Sequence, residues 1–238
     1  MRSHSKRYRA LADEVEKSRR YEIEEAAALV KKTATAGFDE TIEITLQLGV
    51  DTKRSDQVVR GAVSLPHGTG KEVRVIAFAE GEAAEAARDA GAVEAGADEL
   101  VEKVADGWLD FDVAIAHPQV MSKVGRLGRI LGPKGMMPSP RSGTVTENVA
   151  KAVQDYIAGR VEYRADATGC VHAPVGKASF TAEQLAENTR TFIGHVAAQR
   201  PAAAKGVFLR KGCMSATMGP GVELALSRVR QVPGFAGE

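Results

Sequence analysis

Residues 72–116 read EVRVIAFAEGEAAEAARDAGAVEAGADELVEKVADGWLDFDVAIA, and their alternation of short apolar runs with acidic, alanine-rich stretches decides the fold class. EVRVIAFA (72–79) and FDVAIA (111–116) have the composition of strands, while GEAAEAARDA and GADELVEKVADG between them have the composition of helices. Strands separated by helices predict a parallel sheet covered by helices on both sides.

On either side of this block the pattern changes. Upstream, YEIEEAAALVKKTA places Ile23, Ala26, Ala27 and Val30 on one helical face. ETIEITLQL (40–48) alternates Ile42, Ile44, Leu46 and Leu48 with polar neighbours, a half-buried strand, and VVRGAVSL is a second strand ending at Leu65. Downstream, ENVAKAVQDYIAG sets Val149, Val153, Tyr156 and Ile157 on one face of a helix that Gly159 closes. RVEYRAD and CVHAPVGKASF read as antiparallel strands around a turn at Ala167 to Gly169. Thr181 and Gln184 form a capping-box pattern ahead of a helix whose buried stripe is Leu185, Phe192, Ile193 and Val196. Pro201 stops that helix, and KGVFLRKGCMSATMGPG supplies a last strand. PHGTGK (66–71) and Gly159 are the break points. The expected architecture is therefore α/β and α+β in two domains: a discontinuous α+β domain from both chain ends (1–67 and 160–238) and an inserted Rossmann-like three-layer α/β domain (68–159).

A chain of 238 residues, 44% apolar and 26% charged, is a soluble globular protein large enough for two cores. It holds no apolar run of membrane-spanning length, and its N-terminus lacks the apolar centre of a secretory signal, so a cytoplasmic protein is expected. Cys170 and Cys213 are far apart and signal neither a disulfide framework nor a zinc site. The net charge of +1 conceals a segregated distribution. Residues 80–112 carry eleven acids against Arg88 and Lys103, a balance of −9. Residues 113–146 contain no acid, while Lys123, Arg126, Arg129, Lys134 and Arg141 give +5; residues 188–222, also acid-free, give +5 from Arg190, Arg200, Lys205, Arg210 and Lys211. Local fields of this kind attract a polyanion even when the sum is near zero.

The first of those cationic windows contains GRLGRILGPKGMMPSPRSGTVT (125–146). Its glycines at 125, 128, 132 and 135 lack the spacing of a dinucleotide fingerprint, and HGTGKE (67–72) has Leu65 and Glu72 where a P-loop needs glycine and a hydroxyl. GRLG fits the bare GXXG pattern of KH domains, a weak signal at four residues. As a long cationic loop the run points to phosphate or an acidic partner. Catalysis finds little support: His4, His67, His117, His172 and His195 are scattered, there is no HExxH or GxSxG, His117 and His172 read as structural hydrogen-bonders and Trp108 as a packing residue. Neither a cofactor nor a metal is implied.

FDETIEITLQLGVD (38–51), RGAVSLPHGTGK (60–71), GWLDFDVAIA (107–116), VGRLGRILGPKGMMPSPRSGTVT (124–146), VHAPVGKASF (171–180), ENTR (187–190), RPAAAKG (200–206) and TMGPG (217–221) together resemble the bacterial large-subunit ribosomal protein of the mobile side stalk, the ribosomal L-one family. The resemblance runs collinearly from about Tyr21 to Val222. It implies a split domain that holds 23S rRNA, a stalk that helps deacylated tRNA leave the exit site, repression of its own operon by binding that mRNA, and a place on the large ribosomal subunit. It implies RNA contacts at Phe38, Thr41 and Glu43 and at Thr217, Met218 and Gly219. Short polar side chains suit the shallow minor groove of structured RNA; Glu43 can accept from a ribose hydroxyl, and Gly219 admits the sugar edge. The bland alternative makes Phe38 and Met218 core residues. Lys205, Arg210 and Lys211, on or beside the last strand, are expected phosphate contacts; Arg126, Arg129, Lys134 and Arg141 are secondary RNA-facing candidates. Two positions depart from the family: Gly37 stands where a lysine is common, and Ala216 replaces a Ser/Thr. The segment past Val222 has no counterpart and is expected to be a tail. The rival class is an enzyme that binds a nucleotide or phosphorylated ligand on the central α/β block; a generic single-strand binder would need clustered aromatics, which make up only 5% of residues.

Overall fold

The computed structural model describes residues 5–140 and 142–226. In chain order the elements are α1 (Lys6–Asp13), α2 (Ile23–Thr33), β1 (Thr41–Leu48), β2 (Arg60–Ser64), β3 (Val75–Phe78), α3 (Glu82–Asp89), β4 (Glu94–Gly96), α4 (Asp98–Ala105), β5 (Val113–Ala116), α5 (Met121–Val124), α6 (Gly128–Leu131), α7 (Val149–Ile157), β6 (Arg160–Arg164), β7 (Cys170–Lys177), α8 (Ala182–Ala198), β8 (Leu209–Ala216) and β9 (Val222–Glu223). The fold is mixed α/β with several sheets, and it divides into two compact units: Met1–Gly70 with Val161–Glu238, and Lys71–Arg160. No helix among the described residues is long and apolar enough to cross a membrane.

The unit formed by both chain ends is built on a four-stranded sheet of order β7-β1-β8-β9, antiparallel throughout, with β2 and β6 paired separately. Side chains alternate across a strand, so β1 sends Ile42, Ile44, Leu46 and Leu48 inward and leaves Thr41, Glu43, Thr45 and Gln47 outward. The inner row packs with Ala26, Ala27 and Val30 of α2 and with Leu185, Phe192, Ile193 and Val196 of α8. Each large aliphatic side chain so buried contributes about 1.5–3 kcal/mol. Helix α8 opens with a complete capping box between Thr181 and Gln184.

The middle unit is a parallel sheet of order β4-β3-β5. All four residues of β3 are buried: Val75 and Ala77 face the α3 and α7 side, while Ile76 and Phe78 face α4, α5 and α6. Burial on both faces is why this strand reads as an unbroken apolar run. Gly159, at φ 109°, takes the left-handed position after α7.

Several expectations are corrected. Ile157 is not on the buried stripe of α7; it is 44% exposed at the helix end, with Ala152 completing the stripe instead. The run after Gly125 is not a plain loop. Gly125–Leu127 is a 3-10 turn joining the short helices α5 and α6, so GRLG is helical rather than a GXXG clamp. Val145 then bridges to Ala116 beside β5. The chain past Val222 is folded at its start: β9 pairs with β8, Tyr21 bridges to Leu224, and Leu224 and Leu226 are buried; residues 227–238 of the expected tail lie outside the described residues.

Candidate nucleic-acid interface

The antiparallel register Ile42↔Ala216 brings the start of β1 against the end of β8. Thr41 and Thr217, 176 residues apart, are joined there three times. The Thr217 amide donates to the Thr41 carbonyl at 3.0 Å, the Thr217 hydroxyl donates to the same carbonyl at 3.1 Å, and the Thr41 amide donates to the Thr217 Oγ1 at 3.1 Å. Beyond Thr217 the turn closes with the Gly219 amide donating to the Ala216 carbonyl at 3.1 Å. The Lys177 ammonium, whose residue lies opposite Thr41 on β7, donates to the Thr41 Oγ1 at 2.8 Å.

Phe38 and Met218 are surface residues, 56% and 50% exposed, so the core alternative for them fails. Glu43 is exposed on the outer face between Pro174 and Ser215. A Cβ on Gly219 would meet Ala216 and Thr33 only at ordinary van der Waals distance, 3.4 Å or more. The protein's own packing therefore does not demand glycine there. Gly37 has open space around its Cβ position. Ala216 is 3% exposed and faces the core, so the hydroxyl it lacks removes no contact from the outer face.

The cations divide into groups. Lys205, Arg210 and Lys211 are exposed at the opposite end of the sheet, where Lys211 pairs with Gln47. With Thr41 and Gln47 six residues apart, that end lies about 20 Å from the threonine pair. Arg190 is neutralised by Glu24, and Arg200 donates to the carbonyls of Ala204 and Gly206. In the middle unit Lys123 sits 2.8 Å from both Glu80 and Asp98, which raise its pKa through those hydrogen bonds and cancel its charge. Arg126, Arg129 and Lys134 are exposed and form no ion pair among the described residues; Arg141 lies outside those residues.

Three contributors escape the sequence reading. Glu40, 1% exposed, accepts from the amides of Ala36 and Met218, each at 2.8 Å. Its parity with Ile42 and Ile44 is the signal that points it inward. Lys177 reaches the site only through strand register. Arg7, on a helix that no pattern predicted, donates to Thr35 Oγ1 at 3.2 Å and to the Met218 carbonyl at 3.3 Å.

Several other polar groups are engaged within the protein. His172 Nδ1 lies 3.1 Å from Thr45 Oγ1, and His117 Nδ1 accepts from the Gln119 amide at 3.4 Å. Asp166, held by the Thr168 hydroxyl and the Cys170 amide, has its carboxyl lowered to about 2 and pins the turn before β7. Trp108 packs against Phe111 with the ring centroids 5.6 Å apart and the planes tilted by 45°. Burial pushes the Cys213 thiol up. A shallow cleft of about 340 Å³ in the middle unit is lined by Ala83, Ala86, Glu147, Asn148, Val149 and Ala150, with one acid and no second titratable group facing it. Among the described residues no cluster of His, Cys, Asp or Glu is placed to hold a metal ion.

Comparison with known proteins gives these features a context. Residues 30–220 match the model of the Ribosomal protein L1p/L10e family. The chain is 53% identical over 225 residues to the large ribosomal subunit protein uL1 of Thermus thermophilus, covering 94% of this chain and 98% of that protein. It is 54% identical over 224 residues to the uL1 protein of Lactobacillus gasseri, covering 94% and 97%. The family model spans most of the chain, and both segments of the candidate interface lie within its limits. The chain belongs to the Ribosomal protein L1p/L10e family, whose members are structural ribosomal proteins rather than enzymes.

Proposed function

We propose that the protein is a structural component of the large ribosomal subunit in the cytoplasm and binds 23S rRNA through the Thr41–Thr217 end of its four-stranded sheet. The observation that carries this reading is the union of Phe38, Thr41 and Glu43 with Thr217, Met218 and Gly219, residues from distant parts of the chain, in one exposed polar surface flanked by two surface apolar side chains. Hydroxyls and a carboxylate without a neutralising excess of cations suit ribose edges; phosphates are left to Lys205, Arg210 and Lys211 at the far end. The names of the relatives, large ribosomal subunit protein uL1, support the same assignment.

The two compact units are then the discontinuous RNA-binding domain and a Rossmann-like inserted domain. The Thr41–Thr217 surface would also bind the matching site on the mRNA of its own operon and repress translation. Held on the mobile side stalk, the protein would assist release of deacylated tRNA from the exit site, with Arg126, Arg129 and Lys134 of the inserted domain facing RNA.

Filter binding over a salt series tests the assignment. The parent protein should prefer a stalk fragment of 23S rRNA to a scrambled RNA of equal length by a factor of about 10³ or more. Lys205→Ala should weaken both RNAs and flatten the salt slope by about 0.7–0.9. Equal affinity of the parent for the two RNAs would refute specific binding. A gain-of-contact variant probes the other end. A Cβ at Gly37 meets nothing within 4 Å, and Gly37→Lys adds a cation beside Phe38. Its salt slope should steepen by about 0.7–0.9, with tighter binding at low salt.

A further inference from the structure

We propose that Glu40 is the positioning residue of the RNA interface: a single buried carboxyl group that locks the Ala36–Phe38 loop and the Thr217–Gly219 turn to each other before RNA arrives. The inference rests on the RNA-binding reading above and adds how its surface is held. An acid with 1% of its surface exposed is costly unless both oxygens are satisfied. Here Oε1 accepts from Ala36 and Oε2 from Met218, so each oxygen serves a different segment of the interface. Glu40 forms no ion pair with a cation among the described residues. Its backbone carbonyl accepts from the Ala178 amide at 2.8 Å, which anchors the bridge to the end of β7.

Met218 is held on both sides of its peptide groups, its amide by Glu40 and its carbonyl by Arg7. Phe38 follows the Ala36 anchor by two residues. The two exposed apolar side chains thus project from backbone whose orientation is already set, and the ordering cost of both loops falls on folding rather than on association.

The sign of the effect separates positioning from charge. Removing an acid from an RNA-binding surface should strengthen binding on electrostatic grounds alone. Glu40→Gln replaces one acceptor by an NH₂ group that faces a backbone N–H, so only one of the two segments stays tied. If Glu40 positions the loops, the variant binds stalk RNA about tenfold more weakly while it binds scrambled RNA no more weakly than the parent does, and its salt slope does not fall. Its effect should also be non-additive with Thr217→Ala and additive with Lys205→Ala, a pattern that general loss of stability does not produce.

Unchanged or tighter stalk binding by Glu40→Gln, while the parent still discriminates stalk from scrambled RNA, overturns the proposal and leaves the RNA-binding reading intact. A parent that fails to discriminate removes both. Hydrogen exchange on the RNA-free parent covers the case in which the variant does not fold. The Ala36 and Met218 amides should exchange slowly despite their place in surface loops, and exchange at the rate of free loop amides refutes the lock.

Discussion

Replacing Asn188 with leucine should destabilise the RNA-free protein by about 3–5 kcal/mol. Asn188 is fully buried on α8, and its amide uses its whole donor capacity: Nδ2 donates to the Gly68 carbonyl at 2.9 Å and to the Val175 carbonyl at 2.8 Å, while Oδ1 accepts from the His67 amide at 3.1 Å. Leucine has the same branched outline and the same number of side-chain heavy atoms, so the change opens no cavity, and its bulkier methyl groups add to the loss rather than offset it. It strands three backbone groups, each costing about 1–3 kcal/mol when left unpaired in the interior. The His67 and Gly68 groups are only partly buried and recover some hydration, which keeps the total below the sum of three full penalties. The neighbouring surface contact is a useful control: His67 lies 2.7 Å from Glu187 with both side chains substantially exposed, and His67→Ala should cost less than about 1 kcal/mol. Urea unfolding followed by far-UV circular dichroism measures both variants. Trp108 lies in the other compact unit, so its fluorescence should move less than the circular-dichroism transition. A loss below about 1 kcal/mol for Asn188→Leu would mean that the 66–70 loop finds other partners.

Asn188 also marks where sequence reading stops. Leu185, Phe192, Ile193 and Val196 declare their buried stripe by spacing alone, whereas a polar residue inside that stripe becomes intelligible only when the loop it holds is in place. The same division runs through the interface. Alternation along β1 is legible because one face of the sheet is buried and the other is not, and the segments carrying Phe38 and Thr217 were found through family motifs rather than periodicity. Glu40 follows that alternation yet is an acid, so composition assigns it to the surface and geometry to the interior. Charge counting fails for a related reason. Of the cations in residues 113–146 and 188–222, Lys123, Arg190 and Arg200 are consumed by partners that are remote in sequence or are backbone carbonyls, which no count of charges includes. The short strands β4 and β9 have only three and two residues, too few for a period to register.

Thr217→Val should weaken binding to stalk RNA by about 2–3 kcal/mol, or about 30–150-fold in Kd. The hydroxyl hydrogen of Thr217 is already donated to the Thr41 carbonyl, and one lone pair accepts from the Thr41 amide, so toward RNA this oxygen can only accept. Thr41 has the complementary character: its Oγ1 accepts from Lys177 and retains its own hydrogen for donation. Glu43, two residues on along the same face, can only accept in its ionised form. An acceptor, a donor and an acceptor on one face match ribose 2′-hydroxyls, which can play either part. Valine keeps the shape of threonine but leaves the Thr41 amide unpaired and removes the acceptor facing RNA, so two effects combine. Thr217→Ser restores the oxygen and should bind within about threefold of the parent. Neither variant touches a cation, so the salt slope should stay constant. Single 2′-deoxy substitutions along the stalk RNA locate the partner: the sugar whose hydroxyl donates to Thr217 should weaken the parent and have little further effect on Thr217→Val. If valine binds stalk RNA within threefold of the parent, recognition at this end rests on the exposed faces of Phe38 and Met218, and the threonine pair serves only to hold the strands together.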